Sequence, residues 1–386
     1  MTENKSNSIK ILIPILFSFF VMGMVDIVGL STNYLKKDFS LDELTSSIIP
    51  MMVFFWFAIF SIPTGLLMNR IGRKKTVLLA ILIECISLIL PFFFYDFYVV
   101  IFSFALLGIG NTILQVSLNP LVASIVHDSN LAGTLTFGQF IKAVSSFVGP
   151  IIASMAVKNY GDWKLILLVF AITSLISFVW LYLVPIKREE NVDTKQASFG
   201  NTLGLLKDSL ILQMFLGILL IVGIDVCMNV NTPQLLEQRL GFTTDDATLG
   251  SSLYFGARTF GAFLGSILLL KINPSKFMKI NMLIAVPAFL MLMFLSDKWL
   301  LFAAVFIIGL TCANVFSIIF SVAMQYRPQK ANEISSLMIM GVAGGAIVTP
   351  LVGIVAKHFG LGISFGVLLL SAAYIYILSL KFEKKS

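Results

Sequence analysis

Five ionisable side chains interrupt long apolar runs: Asp26, Glu84, Lys142, Asp225 and Arg258. A charge at the centre of a bilayer-spanning helix costs at least about 2.5–3.5 kcal/mol on insertion scales, so such residues face a bundle interior or a watery path. Burial favours a neutral carboxyl and a neighbouring cation favours the carboxylate, so an acid caught between the two can take up and release a proton. Asp26, in Met24-Val25-Asp26-Ile27-Val28, is the candidate for that role. Asp225 reads as a contact to a solute or to the coupling step, and Glu84 as readily as a packing acid. Lys142 can pair with Asp26, snorkel near a helix end, or join Arg258 in holding an anionic solute. Candidate amides for a polar solute in these runs are Asn33, Gln115, Asn119, Gln139, Asn229, Asn231 and Asn314. Each must find partners at that depth, in a polar solute or on a neighbouring helix. His127 and His358 sit at run ends without acid company, and Cys85, Cys227 and Cys312 lie far apart. No metal site and no nucleophile–base constellation follows, so the residues imply neither a cofactor nor an enzyme.

These side chains are carried by a chain of 386 residues, 58% hydrophobic and 12% charged. Ordinary soluble domains are about 45–50% apolar and about 25% charged. A mean hydropathy of +0.95 and 35 phenylalanines describe a protein solvated mainly by lipid. That removes nucleic-acid binding in spite of a net charge of +7. The positive balance is expected to sit in loops and to set topology.

Twelve apolar runs lie between 11–35 and 361–380, each long enough for a helix of about 20 residues across a bilayer. The first run is too long for a cleaved signal and is expected to stay as a membrane helix. The stretch 187–208 is polar, and it divides the chain into an N-terminal six-helix bundle, 1–186, and a C-terminal one, 209–386. Seven basic residues fall in turns on one side of this arrangement and eighteen on the other. Both termini and the linker are therefore expected in the cytoplasm of a bacterial inner-membrane-type protein. The halves echo each other: Asp26 with Thr32-Asn33 in the first helix matches Asp225 with Asn231-Thr232 in the seventh. Repeated halves with a site at the midplane are a common build for secondary transporters.

Between the second and third runs stands Gly65-Leu66-Leu67-Met68-Asn69-Arg70-Ile71-Gly72-Arg73-Lys74-Lys75. It resembles the cytoplasmic gating signature of the major facilitator superfamily, with Asn69 where an acid is usual. The candidate gating residues are Gly65, Asn69, Arg70, Gly72 and Arg73. Further pieces are Gly108-Ile109-Gly110, Gln115 and Asn119-Pro120; Gln139 and Gly149-Pro150; Tyr254-Phe255-Gly256; and Ser335-Ser336 with Gly341 through Ile347 and Pro350. Together they resemble the fucose–galactose–glucose:proton symporters. The resemblance implies an all-α fold of twelve transmembrane helices, a monosaccharide as solute and a proton as coupling ion, with sodium as the alternative ion. It also implies Asp26 as the proton site. Three departures stand out against it. Gln115 replaces a helix 4 acid, Lys142 replaces a helix 5 asparagine, and Arg258 lies one turn before Ala262, where the family's arginine falls.

The reading is a monomeric carrier working by alternating access, in contact with lipid and a small sugar. Carriage of an anionic sugar, export by the same fold, and a flux-free sensor are the other classes; the sensor lacks room for a signalling module.

Overall fold

A computed structural model describes residues 2–41, 43–126, 128–186, 198–242 and 244–383, and every regular element among them is helical. Helices α1 (Thr2–Gly23) and α2 (Ile27–Asp38) are joined by a 3-10 turn at Met24–Asp26. Helices α3 (Glu43–Ile71), α4 (Arg73–Phe93), α5 (Phe97–Ala123), α6 (Asp128–Tyr160) and α7 (Leu165–Leu183) follow. A short α8 (Phe199–Gly204) and a 3-10 turn at Leu205–Lys207 occupy the end of the polar stretch, while His127 and Lys187–Ala197 lie outside the described residues. Then come α9 (Ser209–Leu240), α10 (Thr244–Leu268) and α11 (Pro274–Phe294). Helices α12 (Lys298–Cys312) and α13 (Val315–Tyr326) are separated at Ala313–Asn314. Helices α14 (Ala331–Met340) and α15 (Gly344–Phe359) are separated by a 3-10 turn at Gly341–Ala343, and α16 (Leu361–Glu383) ends the chain.

Ten helical stretches among the described residues are long and apolar enough to cross a membrane, and Phe55–Ile71 adds a shorter apolar one. In lipid, every backbone polar group must be satisfied within the protein, and the helix does this for itself. Bulky apolar side chains such as Phe93, Phe147, Leu183 and Leu370 are exposed, which suits a lipid-facing exterior.

The chain falls into two compact units. The first holds Met1–His127, Ile141–Gly204 and Arg327–Met340; the second holds Asp128–Phe140, Leu205–Tyr326 and Gly341–Ser386. In the first, α4 lies along α5 and α7, and α14 packs on α3 and α5. In the second, α9 contacts α10, α15 and α16, and α11 lies against α12 and α16. Small residues set these approaches. A Cβ on Gly65 would lie 1.9 Å from Ser336 Oγ, so this contact of α3 with α14 needs a glycine. Gly72, at φ +87°, turns the chain from α3 into α4 in a conformation that residues with a Cβ avoid.

Candidate functional site

Asp26 closes the 3-10 turn that breaks the first membrane stretch and is exposed, whereas its neighbours Met24 and Val25 are buried. Its side chain does not cap α2. It accepts a 2.5 Å hydrogen bond from Ser146 Oγ of α6, a residue that nothing in the sequence marks out. Lys142 lies one turn before Ser146, and its backbone carbonyl packs on Gly23, but no ion pair joins Lys142 to Asp26. A carboxyl held by one hydroxyl, beside a break in its helix, is accessible.

Behind it lies a buried polar chain. Glu84 of α4 is 1% exposed, and its Oε1 accepts from Asn111 Nδ2 of α5 at 3.1 Å. The same amide donates to Met22 O at 2.9 Å. Gln115 Nε2 donates to Asn111 Oδ1 at 2.8 Å, and Asn119 Nδ2 to Gln115 O at 3.1 Å. Gln115 and Asn119, both expected at the solute, are thus bonded within their own helix. Asn111, fully buried, links three helices. Gly110, just before it, leaves the room Glu84 needs: a Cβ there would lie 2.9 Å from Glu84 Cγ.

In the second unit Asp225 of α9 pairs with Arg258 of α10 at 2.8 Å and accepts a hydrogen bond from Tyr254. Tyr254 and Arg258 are four residues apart, so one face of α10 presents both donors to the acid. Asn314, at the break between α12 and α13, donates to Gly261 O at 3.1 Å and so ties that break to α10. Asn231 is 7% exposed and Asn229 is exposed. Gln139 is half-buried. The side chain of Asn33 lies outside the described residues.

Two of the candidate gating residues, Asn69 and Arg73, form a third cluster. Asn69 Nδ2 donates to Glu333 Oε1 of α14 at 2.9 Å, and Asn332 Nδ2 returns a bond to Asn69 Oδ1. Arg73 Nε donates to Asn332 Oδ1 at 2.7 Å and its Nη1 to Pro120 O at 3.3 Å. Ser335 Oγ donates to Val116 O at 2.6 Å. An acid is therefore present at this signature, carried by α14 in place of position 69. Glu333 is not among the residues singled out from the sequence, where it reads as the polar start of a helix; its signal is an acid opening an otherwise apolar run. Arg70 is exposed.

A family model, the Major Facilitator Superfamily, matches residues 14–350. The chain belongs to that superfamily. This superfamily member is thus a transporter and not an enzyme, an all-α protein that crosses the membrane several times. It is similar to a glucose/galactose transporter of Brucella abortus, 23% identical over 97% of this chain and 94% of that one. Its fold is that of a Major Facilitator Superfamily transporter, FucP, in the outward conformation, with a TM-score of 0.86 at 18% identity over 96% and 98% of the two chains. A second structure, of the fucose:proton symporter FucP of E. coli, gives 0.83 at 18% identity over 95% and 97%.

Proposed function

We propose that the chain is a proton-coupled symporter of a monosaccharide, hexose or deoxyhexose, in a bacterial inner membrane, built as six-helix halves 1–186 and 209–386 with both termini cytoplasmic. The observation that carries the coupling is Asp26, an exposed acid at a helix break, held by the Ser146 hydroxyl and, among the described residues, by no cation. A similar glucose/galactose transporter supports the sugar. Asp225 and Arg258 neutralise each other, which disfavours an anionic sugar bound at that arginine. Asn33, Gln139, Asn229 and Asn231 supply amides and Lys142 an ammonium to the sugar hydroxyls, while Gln115, Asn119 and Asn314 hold helices in place. Arg258 and Asp225 orient the sugar from the second half.

Alternating access follows from the third cluster. On this reading the bonds that join Asn69 and Arg73 to α14 hold one state of the carrier, and their breaking accompanies the change of access. The test is uptake into proteoliposomes. Hexose accumulates when an inward proton gradient is imposed and does not without it. Asp26→Asn abolishes this accumulation but retains sugar counterflow, which needs no net proton movement. Equal uptake with and without the gradient removes the proton and leaves sodium to be tested.

A further inference from the structure

One hydroxyl beside the end of α1 has three acceptors within reach. Ser146 Oγ of α6 lies 2.5 Å from Asp26 Oδ2, 3.1 Å from Lys142 O of its own helix and 3.4 Å from Gly23 O. A serine hydroxyl carries one hydrogen and two acceptor lone pairs, so only one of the three bonds is strong at a time. With Asp26 ionised the carboxylate takes the hydrogen, because a bond to a charged acceptor is short and about twice as strong as one between neutral groups. The 2.5 Å separation is of that kind.

The acceptor left over, Gly23 O, sits where the first membrane stretch breaks. Gly23 ends α1, and the 3-10 turn Met24–Asp26 follows. The carbonyl before it, Met22 O, accepts at 2.9 Å from the fully buried Asn111 of α5. One carbonyl is therefore anchored in the core, while the next faces a hydroxyl whose hydrogen is engaged elsewhere. The two backbones are close: a Cβ on Gly23 would strike Lys142 O and stand 2.9 Å from Ser145 Cβ.

Other charged and titratable groups on the packed elements stand away from this point. Tyr98 of α5, Tyr182 of α7 and Arg70 of α3 are exposed at helix ends. Tyr34 and the run Lys36–Asp38 lie toward the far end of α2, and Lys10 in the first half of α1. On α6, Lys142 makes no ion pair with Asp26, and Lys158 and Tyr160 lie at that helix's far end.

We propose that Ser146 is the positioning residue through which the first membrane helix senses a proton on Asp26. While Asp26 is charged, the Ser146 hydrogen stays on its carboxylate. A proton taken up from water makes Asp26 a neutral acid, whose O–H donates to Ser146 Oγ. The hydroxyl hydrogen then turns to Gly23 O and draws the end of α1 onto α6. Asp26 gains one proton, and otherwise only hydrogen bonds are exchanged. This deepens, and rests on, the proton-symport reading above.

The experiment compares gradient-driven hexose accumulation with counterflow in proteoliposomes of the wild type, Ser146→Ala, Ser146→Thr, Asp26→Asn and the double variant Ser146→Ala with Asp26→Asn. Ser146→Ala accumulates about tenfold less hexose than the wild type, the scale of one charge-assisted hydrogen bond, while its counterflow persists. Ser146→Thr keeps a hydroxyl and accumulates like the wild type. The double variant behaves as Asp26→Asn alone, because the serine then has no proton to sense. Full accumulation by Ser146→Ala, or its loss in Ser146→Thr, overturns the proposal. So does a Ser146→Ala variant that loses counterflow together with accumulation, or a double variant with less counterflow than Asp26→Asn, since either marks a purely structural role. All four failures leave the symport reading standing. Wild-type uptake that ignores the gradient refutes that reading, and the proposal with it.

Discussion

The partners of a charge, more than its presence, decide what it does here. Asp225 is 13% exposed and Arg258 33% in their side chains, so their pair is partly screened and is worth less than a fully buried one. Removing one partner still strands the other. Asp225→Asn is expected to lower stability by about 1–3 kcal/mol, and Asp225→Asn combined with Arg258→Gln to recover part of it. A thermal scan in detergent reads both, and a double variant no better than the worse single would show that the pair contributes nothing. A second cluster makes a prediction in pH. Outside the membrane spans, Tyr95 donates to Asp38, which also accepts from Trp163 Nε1 at 3.0 Å, while Lys164 sits 4.3 Å over the Tyr95 ring. Burial first, and the Asp38 carboxylate second, hold the Tyr95 phenol above its ordinary range. A group whose proton is bound more tightly in the folded state adds stability below its unfolded value, about 10 for tyrosine, and loses it as pH rises beyond. The wild type therefore loses stability above about pH 10 more steeply than Tyr95→Phe, and parallel alkaline denaturation curves for the two would contradict this.

At the level of helices, the recurring device is a cation from one helix that satisfies the orphan carbonyls ending another. Lys74 stands in the first turn of α4, where the dipole of its own helix opposes a positive charge. It donates instead to Tyr182 O at 3.0 Å and Val184 O at 2.6 Å, at the end of α7. Arg239 does the same for α11, reaching the carbonyls of Leu292, Met293 and Leu295. Arg239→Met should cost about 2 kcal/mol, since a helix end would lose its donors in an apolar setting. An unchanged melting temperature would mean that water replaces the guanidinium. Of these elements, the apolar runs and the twin acids at 26 and 225 were legible in the sequence, because burial in lipid leaves a compositional mark. The breaks at Met24–Asp26, Ala313–Asn314 and Gly341–Ala343 were not. Asp26, Asn314 and Gly341 mark those places without requiring a break, which depends on neighbouring helices such as α6, whose Ser146 donates to the Asp26 carboxylate. Nor could the pairing of Arg258 with Asp225, or of Asn69 with Glu333, be read from spacing. These follow from which faces of distant helices meet, and packing fixes that rotation.

For the molecule as a whole, transport by alternating access requires one grip to be firm and yet breakable. The α14 contact on α3 and α5 has that character. Its polar part is a handful of part-buried bonds among Asn69, Arg73, Asn332 and Glu333, each worth about 0.5–1.5 kcal/mol net, with those to charged groups at the upper end. The sum is small enough for solute binding to offset and large enough to bias the resting state. Loss of the carboxylate at 333 should then raise the cytoplasm-open population about tenfold, the equivalent of about 1.4 kcal/mol. Ser335 is fully buried beneath this contact, so a cysteine placed there reports its opening. The native thiols Cys85, Cys227 and Cys312 are buried and give little background. In inside-out vesicles, a membrane-impermeant maleimide should label Ser335→Cys slowly and Ser335→Cys with Glu333→Ala roughly tenfold faster. In right-side-out vesicles neither should react if the contact faces the cytoplasm, as the proposed topology has it. Equal rates with and without Glu333 would show that apolar packing alone, such as Gly65 on Ser336, closes that side; labelling from the opposite face would reverse the orientation assigned from the loop lysines and arginines.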